Sequence, residues 1–333
     1  MIPLTADNCF FSSLSPKDLF SWMKTSRDHR ERVNAYLRRA SNIENFLCKY
    51  FSSSQVAHFR LLQSRTQMII SGSTALQFFE RVQYPDSDLD IYVEHDHKEE
   101  IVAWLLQIGY VFEPRRNMSL REEMASAVTT PLDGYLGMVN VYNFYKNKPE
   151  RKIQLITSYR SPLHIILRYH STCVMNVITH EQAYAFYPKA TFIDHRSLKY
   201  SCLDVDRSEV HNKYADRGWT MIDRLNKCEL ETSNSEFTVG ARHVGDSFCW
   251  TIDLLPKMNL PEAHIEINSW ELNCQWDLSM SVWHLSKEKL CFSYLIADYE
   301  TYNFIGLSLY PEPPGQHDAK ILELLRTRRR ISQ

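Results

Sequence analysis

Apolar and polar residues alternate at helical spacing in the first part of the chain. Over residues 14–60, apolar residues such as Leu19 and Val33 recur every three or four positions and are interrupted by short polar stretches. Ser15 is a preferred N-cap residue, and Pro16 suits the first position of a helix. The pattern therefore predicts two or three short helices in this segment.

The pattern changes to strand, turn and helix from residue 67. A short apolar run at 68–70 predicts a strand that ends in Ser71-Gly72-Ser73, and residues 74–82 predict a helix that buries Leu76 and Phe79. After a turn, residues 89–93 alternate with period two, so they predict a second strand. On this strand the apolar side chains occupy one face, and the other face carries Asp88, Asp90 and Tyr92.

Further elements follow at regular intervals. Residues 98–108 predict a helix that stops at Gly109, and residues 110–112 a strand; two alternating runs, 138–145 and 152–157, predict a hairpin. Ser161-Pro162 predicts a helix to residue 169. Thr179 with Gln182 fits a capping box for another helix, which would end at Pro188.

The last third of the chain has a different character. Residues 211–225 predict a helix, and most of 237–310 alternates as strands would, at 249–254, 265–276, 290–296 and 304–309. A bulge near Ser269 would reconcile the two phases of the second of these strands. The chain closes with a basic segment at 326–330.

These elements predict an α/β protein with a mixed sheet. We expect a helical N-terminal segment at 1–60, an α/β domain at 61–200 and a β-rich C-terminal region at 201–333. The 333 residues suffice for a substantial core.

Composition narrows the class of protein. Apolar residues make up 44% and charged residues 23% of the chain, which is typical of a globular protein, and the net charge of −2 gives no global attraction to nucleic acid. The N-terminus does not resemble a secretory signal, and no apolar run is long enough to span a bilayer. The eight cysteines are scattered without a C-x-x-C pair, which predicts reduced thiols in an intracellular, cytoplasmic or nuclear protein.

The strand, turn, helix and acidic strand together carry the candidate chemistry. Asp88 and Asp90 are two positions apart on a strand, so they point the same way and can share Mg²⁺ with substrate phosphates. The Ser71-Gly72-Ser73 turn offers free backbone N–H groups at a helix start, which suits a phosphate. These parts could hold a nucleoside triphosphate (NTP), most readily ATP, and promote attack on its α-phosphate with pyrophosphate leaving.

The same residues resemble the motifs of the nucleotidyltransferase superfamily, which includes DNA polymerase β-like enzymes and bacterial toxins. Its pattern, h-G-[GS], a helix, then h-[DE]-h-[DE]-h, is similar to Ile70-Ser71-Gly72-Ser73 followed by Asp88-Leu89-Asp90-Ile91. The closest similarity is to the toxin-type branch. The segments at 174–180 and 187–192 also resemble fungal proteins of this fold. The resemblance covers about residues 67 to 195.

The resemblance implies an Mg²⁺-dependent enzyme that transfers a nucleotidyl group to a hydroxyl of a protein, RNA or small molecule. Asp88 and Asp90 would hold the metal, and Ser71, Gly72 and Ser73 the triphosphate. Active members usually carry a third carboxylate on a neighbouring strand, where this chain has Gln154. Asp86 could substitute for it as a metal ligand.

Two other functions remain open. A chain without the third carboxylate could be an inactive pseudoenzyme that binds a nucleotide or a partner. The N-terminal helices faintly resemble the latter part of an F-box at 14–19 and 25–27, so an adaptor that recruits a protein partner is a further alternative, beside a plain helical cap. Several basic residues could face phosphates or RNA, although scattered surface cations are the commoner explanation: Arg115, Arg116, Arg121, Arg151 and Lys152. His95-Asp96-His97 most simply forms a solvated loop before a helix.

Overall fold

A computed structural model describes most of the chain up to residue 285. The described residues are 6–85, 87–115, 118–125, 138–147, 150–158, 161–200, 207–226, 228–229, 236–237, 240–261, 265, 268–274 and 280–285. Over these residues the chain is α/β with a mixed sheet, and this part of the predicted fold class is confirmed. No helix among them is both long and apolar enough to cross a membrane.

Helices occupy the N-terminal part of the described chain. They are α1 (Asp7–Ser12), α2 (Pro16–Met23), α3 (Arg27–Ala40), α4 (Ile43–Leu47) and α5 (Ser53–Thr66). Ser15 caps α2 by accepting a hydrogen bond from the Asp18 backbone N–H, and Pro16 is its first residue, as the sequence predicts. Phe11 and Leu19 belong to a small core that α1, α2 and α3 share, and Trp250 packs against it.

The middle of the chain contains the elements on which the candidate site is built. They are β1 (Ile69–Ser71), α6 (Gly72–Glu80), β2 (Leu89–Glu94), α7 (Lys98–Gln107), β3 (Val111–Glu113), α8 (Leu120–Ala125), β4 (Met138–Asn147) and β5 (Glu150–Ser158). The predicted hairpin is confirmed as β4 and β5. Leu89, Ile91 and Val93 are fully buried on one face of β2, and Leu76 and Phe79 are buried on α6, as predicted.

The remaining described elements are shorter. They are α9 (Leu163–Ile166), β6 (Asn176–Ile178), β7 (Gln182–Ala185), β8 (Arg196–Leu198), α10 (Ser208–Asp216), β9 (Thr220–Ile222), β10 (Gly240–His243), β11 (Trp250–Asp253), β12 (Ser269–Cys274) and β13 (Met280–Leu285). A π-helical segment, Lys189–Ile193, lies between β7 and β8.

The largest sheet in the described residues has eight strands in the order β11-β7-β6-β1-β2-β5-β4-β3. β2 and β5 are parallel, and the other neighbours are antiparallel, so the sheet is mixed. Two smaller sheets contain β10-β12-β13 and β8-β9. β11 belongs to the region after residue 200 but pairs with β7, so the large sheet draws strands from both of the predicted segments.

The helix predicted between Thr179 and Pro188 is wrong. Thr179 does bond to Gln182, since its hydroxyl accepts a hydrogen bond from the Gln182 N–H and donates to the Gln182 carbonyl. These contacts close a turn between the antiparallel strands β6 and β7 instead of capping a helix. Two residues with the three-residue spacing of a capping box thus occur here in a turn between two strands.

Three further boundaries differ from the sequence predictions. The helix predicted from 161 to 169 is only the four-residue α9. The helix predicted over 211–225 ends at Asp216, because Gly218 adopts a positive φ of 102° and β9 follows. The strand predicted from 265 begins at Ser269, so no bulge is needed there. The predicted strands at 290–296 and 304–309 and the basic segment at 326–330 lie outside the described residues.

Candidate functional site

The turn between β1 and α6 lies directly against the acidic strand. Gly72 has a φ of 68°, in the left-handed region that favours glycine. A Cβ atom at this position would clash with Oδ2 of Asp90 and lie 3.4 Å from its Cγ. Glycine is therefore required at position 72 both by the backbone conformation and by the proximity of the Asp90 carboxylate.

The three residues of this turn differ in what they can offer a ligand. Ser71 is fully buried, and its hydroxyl donates a hydrogen bond of 2.6 Å to the Asn176 carbonyl oxygen in β6. Its hydroxyl hydrogen is thus used within the fold. Gly72 and Ser73 begin α6, where backbone N–H groups and the positive end of the helix are available to an anion.

Asp88 and Asp90 approach the turn through the pairing of β1 with β2. The register places Asp90 opposite Ser71 in the antiparallel pair. Asp88 precedes β2, and its backbone oxygen accepts a hydrogen bond of 2.6 Å from the Thr74 hydroxyl. Both aspartates are half-buried. Asp86, the predicted third metal ligand, lies outside the described residues.

The neighbouring strand β5 places an amide beside Asp90. β5 runs parallel to β2 in a register that pairs Asp90 with Gln154, and β4 pairs Asn143 with Gln154. Laterally paired residues share a face of a sheet, so two amides continue the row that begins at Asp90. In the described parts of the chain, no group of three or more His, Cys, Asp or Glu side chains could hold a metal ion.

Burial raises the pKa of both aspartates, and the charge of Asp88 adds to the rise at Asp90. The pKa of Asp90 is raised to about 7, first by burial of the carboxyl and then by the nearby charge of Asp88, against which Lys213 acts. Burial also raises the pKa of Asp88, and the charges of Lys152, Lys213 and Lys49 oppose this rise. The nearby lysines therefore neutralise only part of the negative charge of Asp88 and Asp90.

Sequence reasoning found only one of the three lysines that act on Asp88. Lys152 was among the basic residues singled out, and it lies on β5 beside the acidic strand. Lys49 follows α4, and Lys213 lies on α10, more than a hundred residues away along the chain. Only the tertiary fold brings these two residues near Asp88, so no local sequence signal could have identified them.

The His95-Asp96-His97 segment forms a short 3₁₀ turn before α7. The Nδ1 atom of His95 lies 3.1 Å from the Thr157 hydroxyl, and burial lowers the pKa of His95. His97 and Asp96 take no part in a metal-binding cluster among the described residues. The segment therefore connects β2 to α7, as the sequence predicts.

Comparison of the chain with protein-family models, with curated proteins and with solved structures finds no match in any of the three. The assignment of a function therefore depends on the geometry of the site itself.

Proposed function

We propose that this protein is a nucleotidyltransferase-like protein that binds an NTP, most readily ATP, together with Mg²⁺. Asp88 and Asp90 would hold the metal, and the backbone of Gly72 and Ser73 would receive the triphosphate. In the reaction, a hydroxyl oxygen of the acceptor bonds to the α-phosphorus and its proton passes to water. The bond from this phosphorus to the oxygen that bridges to the β-phosphate breaks, and pyrophosphate leaves. The acceptor would be a protein, an RNA or a small molecule.

One observation supports this proposal above the others. The glycine turn at the start of α6 and the Asp90 carboxylate are in contact, because a Cβ at Gly72 would overlap Oδ2 of Asp90. An anion at the helix start and a cation at the carboxylates would thus be neighbours. A metal–polyphosphate ligand carries both charges at this spacing, whereas a free anion would be repelled by Asp90.

The residues at this site fit a divalent cation in part. Two neighbouring carboxylates with raised pKa values are under-compensated, and a divalent cation would relieve their repulsion and supply charge neutralisation to the phosphates. Mg²⁺ is commonly held by one or two carboxylates together with substrate phosphates and water. Asp88 and Asp90 meet that minimum, and Ser71 would act by fixing the turn to β6.

The enzyme is tested by incubation with NTPs labelled at the α-phosphate, with Mg²⁺ or Mn²⁺ and with protein, RNA and small-molecule acceptors. We expect label transfer by the wild type and a loss of about a hundred-fold or more in Asp90→Ala. Asp253→Ala, which removes an aspartate on β11, is the control and should retain activity. Equal label transfer by Asp90→Ala and the wild type would contradict the proposal.

The pairing of Asp90 with Gln154 favours a second candidate, a pseudoenzyme that binds nucleotide without transfer. A neutral amide cannot take the acceptor proton or provide a third negative ligand. The variant Gln154→Glu distinguishes the two candidates. If the wild type binds Mg²⁺–ATP in a thermal-shift titration but transfers no label, and Gln154→Glu gains transfer, the second candidate is supported.

The adaptor alternative receives less support from the N-terminal helices. Their apolar residues Phe11, Leu19 and Val33 are buried within the chain, and the ring of Phe20 contacts that of Trp250 at 4.8 Å. Arg81 adds hydrogen bonds to the carbonyl oxygens of Phe11 and Leu14. The apolar face of these helices is therefore buried within the protein.

A further inference from the structure

We infer that Thr74 and Gln77 are positioning residues, which tie the acidic approach to β2 onto helix α6 and so fix the carboxylates relative to the glycine turn. We call these two residues the α6 latch. We call Tyr84, Ser87 and Asp88, which lead from α6 into β2, the entry segment. This inference rests on the proposed function for the identity of the ligand. The hydrogen bonds of the latch themselves form without a ligand.

Gln77 joins the start of α6 to the entry segment through both ends of its amide. Its side chain is buried, and Nε2 donates a hydrogen bond of 3.0 Å to the Ser73 carbonyl oxygen. Its Oε1 accepts hydrogen bonds from the Tyr84 backbone N–H at 2.6 Å and from the Ser87 hydroxyl at 3.3 Å. A single side chain thus bonds to the glycine turn on one side and to the acidic approach on the other.

Thr74 provides the second part of the latch. Its side chain is buried, and its hydroxyl donates a hydrogen bond of 2.6 Å to the backbone oxygen of Asp88. Thr74 lies two residues beyond Gly72, at the end of α6 that would receive the phosphate. The position of the Asp88 backbone is therefore set directly by the first turn of the helix.

The entry segment depends on such side-chain partners because it contains no regular secondary structure of its own. The Ser87 carbonyl oxygen, for example, accepts a hydrogen bond of 2.9 Å from the Tyr50 hydroxyl. The Arg217 guanidinium carbon lies 3.8 Å from the centre of the Tyr84 ring. Side chains of α6 bond to the Tyr84 N–H and to the Asp88 carbonyl oxygen. Because of these bonds, any movement of the helix start is coupled to movement of Asp88.

The test uses pairs of variants that separate positioning from general stability. Thr74→Val keeps the shape of the side chain and removes its hydroxyl, whereas Thr74→Ser keeps the hydroxyl. Gln77→Leu removes the amide. The matched controls are Thr66→Val and Gln63→Leu, which remove buried hydroxyl and amide groups whose hydrogen bonds serve α5 and its neighbours.

The first measurement is Mn²⁺ affinity by calorimetry. Thr74→Val and Gln77→Leu should weaken Mn²⁺ binding by about ten-fold or more, as loss of groups that orient metal ligands typically does. Thr74→Ser should restore near wild-type affinity, and the two controls should keep it even where they lower the melting temperature. Unchanged Mn²⁺ affinity in both latch variants, with melting temperatures lowered as in the controls, would overturn the inference.

The second measurement needs no ligand, so it separates failure of the latch from failure of the proposed function. Amide hydrogen exchange at Tyr84 should accelerate about ten-fold in Gln77→Leu, which corresponds to loss of one hydrogen bond. The carbonyl carbon chemical shift of Asp88, followed by NMR, should change in Thr74→Val and should return to near its wild-type value in Thr74→Ser. A wild type that binds no Mn²⁺ would contradict the proposed function alone, whereas an unchanged exchange rate at Tyr84 together with an unchanged Asp88 carbonyl shift would contradict the latch.

Discussion

Asp90→Asn should make this protein more stable at neutral and alkaline pH, although it alters the centre of the candidate site. The carboxyl of Asp90 has its pKa raised to about 7 by burial and by the charge of Asp88. In the folded protein the ionised form is therefore disfavoured relative to the unfolded chain. An amide of the same shape carries no charge and removes this unfavourable term.

The magnitude follows from the shift in pKa. Each unit corresponds to about 1.4 kcal/mol, so a rise from 3.8 to about 7 corresponds to at most about 4 kcal/mol of destabilisation once Asp90 is ionised in both states. The side chain is partly exposed, and screening by solvent reduces the expected effect to about 2 kcal/mol. The cost is absent below pH 4, grows as the pH rises from about 4 to 7, and is complete above pH 7.

The assay is urea unfolding of the wild type and Asp90→Asn at several pH values between 4 and 8, in the presence of a metal chelator. We expect the difference in unfolding free energy to be near zero at pH 4 and about 2 kcal/mol in favour of the variant at pH 8. Under the proposed function, saturating Mg²⁺–ATP should reverse the order at pH 8, because the ligand stabilises only the wild type.

Asp253→Asn is the matched control, with the opposite sign. The pKa of Asp253 is lowered, chiefly by the hydrogen bond from Gln182. Its ionised form therefore stabilises the fold above the ordinary pKa, and this contribution is lost as the pH falls through the lowered value. The reasoning would be refuted if the Asp90→Asn variant were no more stable than the wild type at pH 8 in the presence of chelator. The ionised Asp90 carboxylate would then not destabilise the fold.

Three further substitutions test other parts of the structure. Gly72→Ala should abolish Mg²⁺–ATP binding and lower the melting temperature by several degrees, because its Cβ would clash with the Asp90 carboxylate and the backbone φ is 68°. A thermal-shift titration measures both effects, and normal binding by the variant would show that the turn does not have this geometry. Ile91→Ala, in the fully buried face of β2, should reduce the unfolding free energy in urea by about 2–5 kcal/mol. Arg242→Met should cost about 3–5 kcal/mol in the same assay, because it leaves Asp246 buried without its 2.6 Å partner; a change below 1 kcal/mol would argue against a tight buried pair.

The sequence predicted the elements whose signal is local. β2 was recognisable because its side chains alternate between a fully buried face and the face that carries Asp90. The start of α2 was equally clear, since Ser15 and Pro16 both favour a helix start and the structure shows the complete cap. The expectation that Gln154 lies beside Asp90 came from the resemblance of the motifs, and the register confirms that pairing.

Features that depend on contacts between distant parts of the chain could not be predicted from the sequence. Thr179 and Gln182 have the spacing of a helix cap, but the pairing of β6 and β7 decides that they close a turn. Gln77 gave no signal, because a single amide on the buried side of a short helix has no pattern of its own. Lys213 likewise lies near the carboxylates only through the tertiary fold, since it is more than a hundred residues away from them along the chain.

The pairing of β11 with β7 has a practical consequence for work with fragments of this chain. A fragment cut near residue 200, where the sequence changes character, would lack β11 and would leave the backbone of β7 uncovered at the sheet margin. Exposed edge strands of this kind pair with other chains and promote aggregation. Expression of the acidic-strand region alone should therefore extend through Asp253 at least, and poor solubility of a shorter piece would reflect the missing strand.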